Sequence, residues 1–391
     1  MNLVEVLPQA GCDGLAEAVI DLAAIQANVH RFQTLRPGLQ VMAVVKADGF
    51  GHGMVPVARA CLAAGATWLG VARAEEALQL REAGITAPVL VWLYGPDDLE
   101  LLEDVDVSIA GLAELERAAA APNVQNVQLK LDTGLHRGGS SSGQWIELTE
   151  QAARLEAEGR FHVRGLWSHL SHGDEPSGVH NRRQLEMFRA GVVLARRAGL
   201  DPEHLHLTNS AGTVALDAPE LTLARIGAGL FGIDELGVGL QPAMRLTTRL
   251  HQTRRIRAGE GVSYGHDFVA ERDTTVGLVP LGYADGIPRG VHATVLIGGV
   301  RVPIAGRIAM DQFVVDLGDA TAAPGDEVVV FGDGSQGEPT GADWARWAGT
   351  IPHEIYCGIG ARVPRRYLDP AGSGSSGPVA PGRISPTERQ K

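Results

Sequence analysis

The segment Ala43-Val44-Val45-Lys46-Ala47-Asp48-Gly49-Phe50-Gly51-His52-Gly53 joins an apolar run to a glycine-rich turn through a single lysine. Burying an ammonium at the end of a strand is costly. The cost disappears when the nitrogen is held as an imine. Lys46 is therefore read as the amine that forms a Schiff base with an aldehyde cofactor, pyridoxal phosphate (PLP). Such a cofactor also needs donors for its phosphate. Asn209-Ser210-Ala211-Gly212 and Gly227-Ala228-Gly229 have the composition of turns whose backbone N–H groups cradle a phosphate, although each read alone is equally an ordinary βα turn. His169, His172, Asp174 and His180 fit no standard zinc spacing and no CxxC accompanies them, so no metal site is expected.

The elements that must position these groups follow from periodicity. Eight short apolar runs read as strands: 41–46, 67–72, 88–93, 105–110, 126–132, 163–169, 203–208 and 222–227. Amphipathic stretches such as residues 73–82 alternate with them. Eight β units alternating with helices predict an α/β fold of the (β/α)8 TIM-barrel type, with a doubly wound sheet as the competing geometry. After about Gly239 the texture changes to short strands separated by glycine turns, with Gly298-Gly299 as a hairpin signal. The expected division is a barrel over 16–240, a mostly β domain over 241–368 and a disordered tail over 369–391. Barrel enzymes build their sites at the C-terminal ends of the strands. There the sequence places Lys46, Asp132-Thr133-Gly134-Leu135-His136-Arg137, Ser168-His169, Thr208-Asn209-Ser210 and Arg225-Ile226-Gly227-Ala228-Gly229.

These motifs, in this order over roughly residues 16 to 367, resemble those of the alanine racemase family, which is PLP-dependent. The resemblance implies that Lys46 attaches PLP and acts as one catalytic base. It implies that Tyr264, in Val262-Ser263-Tyr264-Gly265, is the base on the opposite face of the substrate Cα. Arg225 would meet the pyridine nitrogen. An arginine cannot accept the proton that a carboxylate would, so the nitrogen stays neutral, which suits racemisation and disfavours transamination. Cofactor contacts are implied for Phe50, Arg137, His169, His206, Asn209, Ser210, Arg225, Gly227, Ala228 and His353. Substrate contacts are implied for Arg137, Tyr283, Met310 and Asp311, from Leu281-Gly282-Tyr283-Ala284-Asp285 and Gly306-Arg307-Ile308-Ala309-Met310-Asp311. Lys130 stands where the family has a lysine that can be carbamylated. The family forms homodimers in which the second domain of one protomer completes the partner's site, so a homodimer with shared active sites is expected. The implied activity is interconversion of L- and D-alanine, supplying D-alanine for peptidoglycan. A broad-specificity or serine racemase on the same scaffold, a barrel decarboxylase of the ornithine or diaminopimelate type and a non-catalytic PLP carrier are the alternatives.

Two positions depart from the family pattern. Phe50 replaces a tyrosine that hydrogen-bonds the phosphate, and His353 stands where tyrosine is common. Bulk properties remove other classes. A net charge of −12 leaves no electrostatic footprint for nucleic acid. No apolar run approaches a membrane span and residues 1–14 lack a signal-peptide pattern. Three cysteines do not make a disulfide framework. A small amino-acid substrate and a cytoplasmic location are therefore expected, with neither nucleic acid nor membrane as partner.

Overall fold

The computed structural model describes residues 15–175 and 178–368. They fall into two units, residues 21–243 and residues 15–20 with 244–368.

The first unit carries the predicted barrel. Its eight parallel strands are Gln40–Val44, Trp68–Arg73, Val89–Leu93, Asp106–Ile109, Asn126–Lys130, His162–Trp167, His204–His206 and Leu223–Ile226. Each pairs with the next as far as the seventh, and the eighth pairs back onto the first, Met42 opposite Arg225. The remaining seam is bridged by Thr222 N–H to the Leu205 carbonyl and Arg225 N–H to the Thr208 carbonyl. Strands covered on both faces read as continuous apolar runs, which is why all eight were visible in the sequence. Met42, Trp68, Leu90 and Leu223 pack together as one apolar cluster, with Trp92 against it. The residues of segment 73–82 form the helix Ala74–Glu82, with Ala74, Ala77 and Leu80 buried.

The second unit is mostly β. A six-stranded sheet runs in the order Val300–Pro303, Thr294–Ile297, Glu327–Phe331, Met244–Arg249, Ala16–Asp21, Arg365–Leu368. A three-stranded sheet is built from Gln252–Ile256, Thr274–Val279 and Phe313–Gly318. The Gly298-Gly299 turn closes a hairpin with Ile297 opposite Val300, both glycines having positive φ (56° and 80°). The expected start of the barrel at residue 16 is corrected here. Residues 16–20 lie between Met244–Arg249 and Arg365–Leu368 in this sheet, and the division falls at Asp21 and again between Ala243 and Met244. An isolated β-pattern does not say which sheet it joins. The segment 369–391, expected to be disordered, lies outside the described residues, as does Cys12.

Candidate active site

Lys46 follows the first barrel strand and is half-buried, its Nζ lying 5.2 Å from the centre of the Trp92 ring. The chain then winds left-handed. Ala47, Asp48, Gly49 and Phe50 have φ of 53°, 52°, 61° and 54°. Each non-glycine residue there costs roughly 1–2 kcal/mol, so the turn must be held from outside. Glu76, on the helix after the second strand, accepts from Ala47 N–H at 2.6 Å. Asp48 accepts from Met54 N–H at 2.8 Å. A Cβ at Gly49 would stand 3.3 Å from the Met54 backbone, so the turn also needs glycine at that position.

Beneath the rim lies Arg225, 3% exposed. Its NH2 donates to the Ser168 carbonyl (2.7 Å), the Leu207 carbonyl (3.1 Å) and His169 Nδ1 (3.1 Å), and its NH1 donates to His206 Nδ1 (3.0 Å). Arginine only donates, so both histidine Nδ1 atoms must be acceptors and both rings neutral. Burial and then the Arg225, Arg137, Lys130 and Lys46 charges push His169 down to about 2. Complete burial, reinforced by Arg225, holds His206 well below its ordinary value. No carboxylate touches Arg225 among the described residues.

Three more cations share this end of the barrel. Lys130 Nζ sits 4.5 Å over the Trp167 ring, and Arg225 Cζ lies 5.0 Å from the same ring. Burial, with Arg225 and Arg137 nearby, lowers Lys130 to about 8. Burial and Arg137 lower Arg225 to about 9. Arg137 itself is exposed and extends from a loop that Asp132 organises by accepting the N–H groups of Gly134, Leu135 and His136. Gln184, buried on the helix Val179–Arg197, donates to Thr133 Oγ1 (3.2 Å) and the His169 carbonyl (3.0 Å), tying two of these loops together. His172 and His180 stack on each other with ring centres 4.4 Å apart.

The two glycine turns meet at one hydroxyl. Ser210 Oγ accepts from Gly227 N–H and from Gly229 N–H, both at 3.1 Å. Its own hydrogen is therefore turned away from them, free to reach an anion. Asn209 caps the helix Ser210–Ala215 by accepting Gly212 N–H at 2.8 Å. Ala228 opens the 3-10 turn Ala228–Phe231. Phe50 is buried against Phe231, ring centres 4.8 Å apart, and its Cζ would lie 3.2 Å from a Cβ at Gly227. Lys46, Lys130, Arg137 and Arg225 thus surround neutral groups and donors, an arrangement that takes an anion. The residues fit PLP: an amine, a cationic ring-facing donor that cannot be protonated further, and a turned hydroxyl among backbone N–H groups.

In the second unit, Tyr264 opens the turn Tyr264–His266 and is 64% exposed. Ser263, at φ 60°, donates its hydroxyl to the Arg307 carbonyl at 2.6 Å, and Arg307 makes a two-point ion pair with Asp267. Tyr283 N–H donates to the Ala309 carbonyl and Ala284 N–H to the Met310 carbonyl, which brings Tyr283, Met310 and Asp311 together. Only glycine fits at 282, because a Cβ would lie 2.2 Å from the Met310 carbonyl oxygen. Met310 N–H donates to no group among the described residues, while Arg362 bridges Asp311 (2.8 Å) and Asp285 (3.2 Å). His353 is half-buried on the helix Pro352–Gly358.

The sequence reading missed Glu76, Trp92, Trp167 and Gln184. The two tryptophans sit at strand ends, a signal that could have found them. Glu76 stands in the first turn of a predicted helix, where a carboxylate reaches back to backbone N–H groups. Gln184 gave no signal.

The chain matches two family models: Alanine racemase, N-terminal domain, over residues 20–235 and Alanine racemase, C-terminal domain, over residues 243–367. It is 48% identical to an alanine racemase of Frankia casuarinae, covering 92% of this chain and 98% of that protein. An alanine racemase of Thermobifida fusca is 46% identical, with coverage of 90% and 98%. Among solved structures, the alanine racemase of Streptomyces coelicolor has a TM-score of 0.87 at 46% identity, covering 90% of this chain and 98% of that one. The Bacillus anthracis alanine racemase with bound L-Ala-P has a TM-score of 0.84 at 29% identity, with coverage of 93% and 97%.

Proposed function

The chain belongs to the alanine racemase family, and from that premise we propose that it interconverts L- and D-alanine with PLP by a two-base mechanism, supplying D-alanine for peptidoglycan. The observation that carries the reading is Arg225. A buried guanidinium whose hydrogen-bond partners are all acceptors, with no carboxylate against it among the described residues, suits a ring nitrogen that must stay unprotonated.

PLP, when bound, supplies the electron sink that acidifies the substrate Cα–H. Lys46 removes or returns the proton on one face and Tyr264 does so on the other, Lys46 serving the D-enantiomer and Tyr264 the L-enantiomer. Arg225 donates to the ring nitrogen. Asn209, Ser210, Gly227, Ala228 and His353 hold the phosphate, and Phe50 packs beside them without the hydroxyl that a tyrosine would add. His169 and His206 stay neutral and keep Arg225 aimed. Arg137 and the Met310 N–H bind the substrate carboxylate, with Tyr283 and Asp311 at the entrance. Lys130, lowered to about 8, has enough neutral amine near pH 7.5 to take up CO2, and its carbamate would orient Arg137. The barrel unit carries the cofactor groups other than His353, which lies in the second unit. In this reading a second copy of the chain brings its Tyr264 to Lys46, forming a homodimer with shared sites. Among the described residues no helix is long and apolar enough to cross a membrane. Three cysteines in 391 residues suit the reducing cytoplasm, where we place the enzyme.

The test is solvent deuterium entering Cα across a panel of amino acids. The reading expects both alanine enantiomers to exchange while losing optical activity, ahead of serine and larger side chains. Carbon dioxide release from a diamino acid, or PLP binding with no exchange, overturns it.

A further inference from the structure

Behind His206 the barrel interior holds polar groups, Gln128, Asp106 and Arg164, that the reaction scheme above does not use. His206 Nε2 lies 2.7 Å from Gln128 Oε1. Gln128 Nε2 donates to Asp106 Oδ2 at 2.7 Å, and Arg164 NH1 donates to Asp106 Oδ1 at 3.0 Å. Gln128 and His206 are fully buried and Asp106 is 2% exposed. The neighbouring strand makes room for the amide: a Cβ at Gly165 would come 2.8 Å from Gln128 Oε1. Buried carboxylates and amides cost stability unless fully satisfied, and apolar residues of similar shape do as well or better in a core.

The chain of bonds has one direction. Both Asp106 oxygens accept, so Gln128 must turn its NH2 toward Asp106 and its oxygen toward His206. A flipped amide would set two oxygens against each other. His206 must then carry its hydrogen on Nε2, which leaves Nδ1 as an acceptor. NH1 of Arg225 has no other partner among the described residues, so that acceptor alone fixes the NH1 end of the guanidinium. His206 is further locked by stacking on Trp167, 5.8 Å between ring centres and 4° from parallel.

Resting on the racemase reading, we propose that Asp106 and Gln128 are positioning residues that select the His206 tautomer and thereby aim Arg225 at the cofactor's ring nitrogen. Losing the chain lets NH1 meet an N–H, turns the guanidinium away and opens the nitrogen to protonation. The partition would then move from proton return toward transamination, in which a proton goes to the cofactor's aldehyde carbon instead of to Cα, water supplies the carbonyl oxygen of the departing pyruvate, and alanine's amino group stays on the cofactor.

Two variants of the full-length enzyme test this, Gln128→Met and Asp106→Asn; if one fails to fold, the other carries the test. With 15N-histidine labelling, the His206 resonances of the purified protein should move from a single Nε2–H form to a mixture. Turnover of alanine should fall about tenfold, the scale of one hydrogen bond, with KM little changed and with more pyruvate released per racemisation event. An unchanged tautomer overturns the proposal, and so does a changed tautomer with an unaltered pyruvate ratio. Wild-type enzyme that does not racemise alanine overturns the racemase reading instead, and the labelling result still reports on the hydrogen-bond chain.

Discussion

The groups assigned to the cofactor and those assigned to the substrate's far face are held in opposite ways. In the barrel unit, Arg225 and His206 are buried and fixed by side chains one and two strands earlier in the chain, His206 for Arg225 and Gln128 for His206. In the second unit, Tyr264, Tyr283 and Met310 are 64%, 41% and 53% exposed, and backbone turns hold them, stiffened by the surface ion pairs Arg307–Asp267 and Arg362–Asp311. The first set is organised by burial and, His353 apart, lies within its own unit. The second is organised by turn geometry and leaves its side chains exposed, which accords with the proposal that a second copy covers them.

The contrast can be broken most severely at Lys46. Lys46→Ala should abolish the cofactor's visible absorbance and lower racemisation by more than about 10^4-fold, since both the attachment amine and a base are lost. Tyr264→Phe should lower racemisation by roughly 10^2–10^4-fold while PLP binding persists, and Cα exchange in deuterium oxide should survive for D-alanine alone. Exchange of both enantiomers at the wild-type rate would remove Tyr264 from the scheme. Mixing these two inactive variants sharpens the comparison further. If a dimer shares its sites, random re-pairing restores about a quarter of wild-type activity, because half the dimers are mixed and each has one intact site; no recovery means that each chain serves itself. Phe50→Tyr should tighten PLP by roughly 10–100-fold, the worth of a hydrogen bond to a charged group, read by equilibrium dialysis.

The smallest effect is a pH slope. His169 and His206 are neutral when folded, His169 being held down to about 2. Unfolded histidine takes up its proton near 6.5, so the folded state binds fewer protons below that pH. Stability is therefore intact above about 6.5 and falls as the pH drops, by at most about 1.4 kcal/mol per pH unit for each such ring. His169→Gln should flatten the urea-unfolding slope between pH 6.5 and 5 by up to that amount, whereas changes at the exposed Tyr264 should leave it alone.

What the sequence disclosed follows the same division. The eight barrel strands were legible because buried parallel strands are mainly apolar, even where Asp106, Gln128 and His206 interrupt them, and Gly298-Gly299 announced its hairpin through backbone freedom. The expected barrel start at residue 16 misses the division at Asp21 because nothing in residues 16–20 announces that they pair with strands more than 200 positions away. At the site, Lys46 was legible as an amine where none should be buried, and Tyr264 only through family resemblance. Asp106, Gln128 and Gln184 were illegible: each is an ordinary polar residue whose meaning comes from neighbours 13 to 78 positions away in the chain.

The left-handed turn after Lys46 bears on how the holoenzyme is made and repaired. Glu76 and Asp48 fasten that backbone with groups belonging to the protein itself, so the proposed loading by a vitamin-derived aldehyde would meet a prepared socket. A chain that loses its cofactor through dilution should regain it by simple docking, at a rate set by encounter instead of refolding.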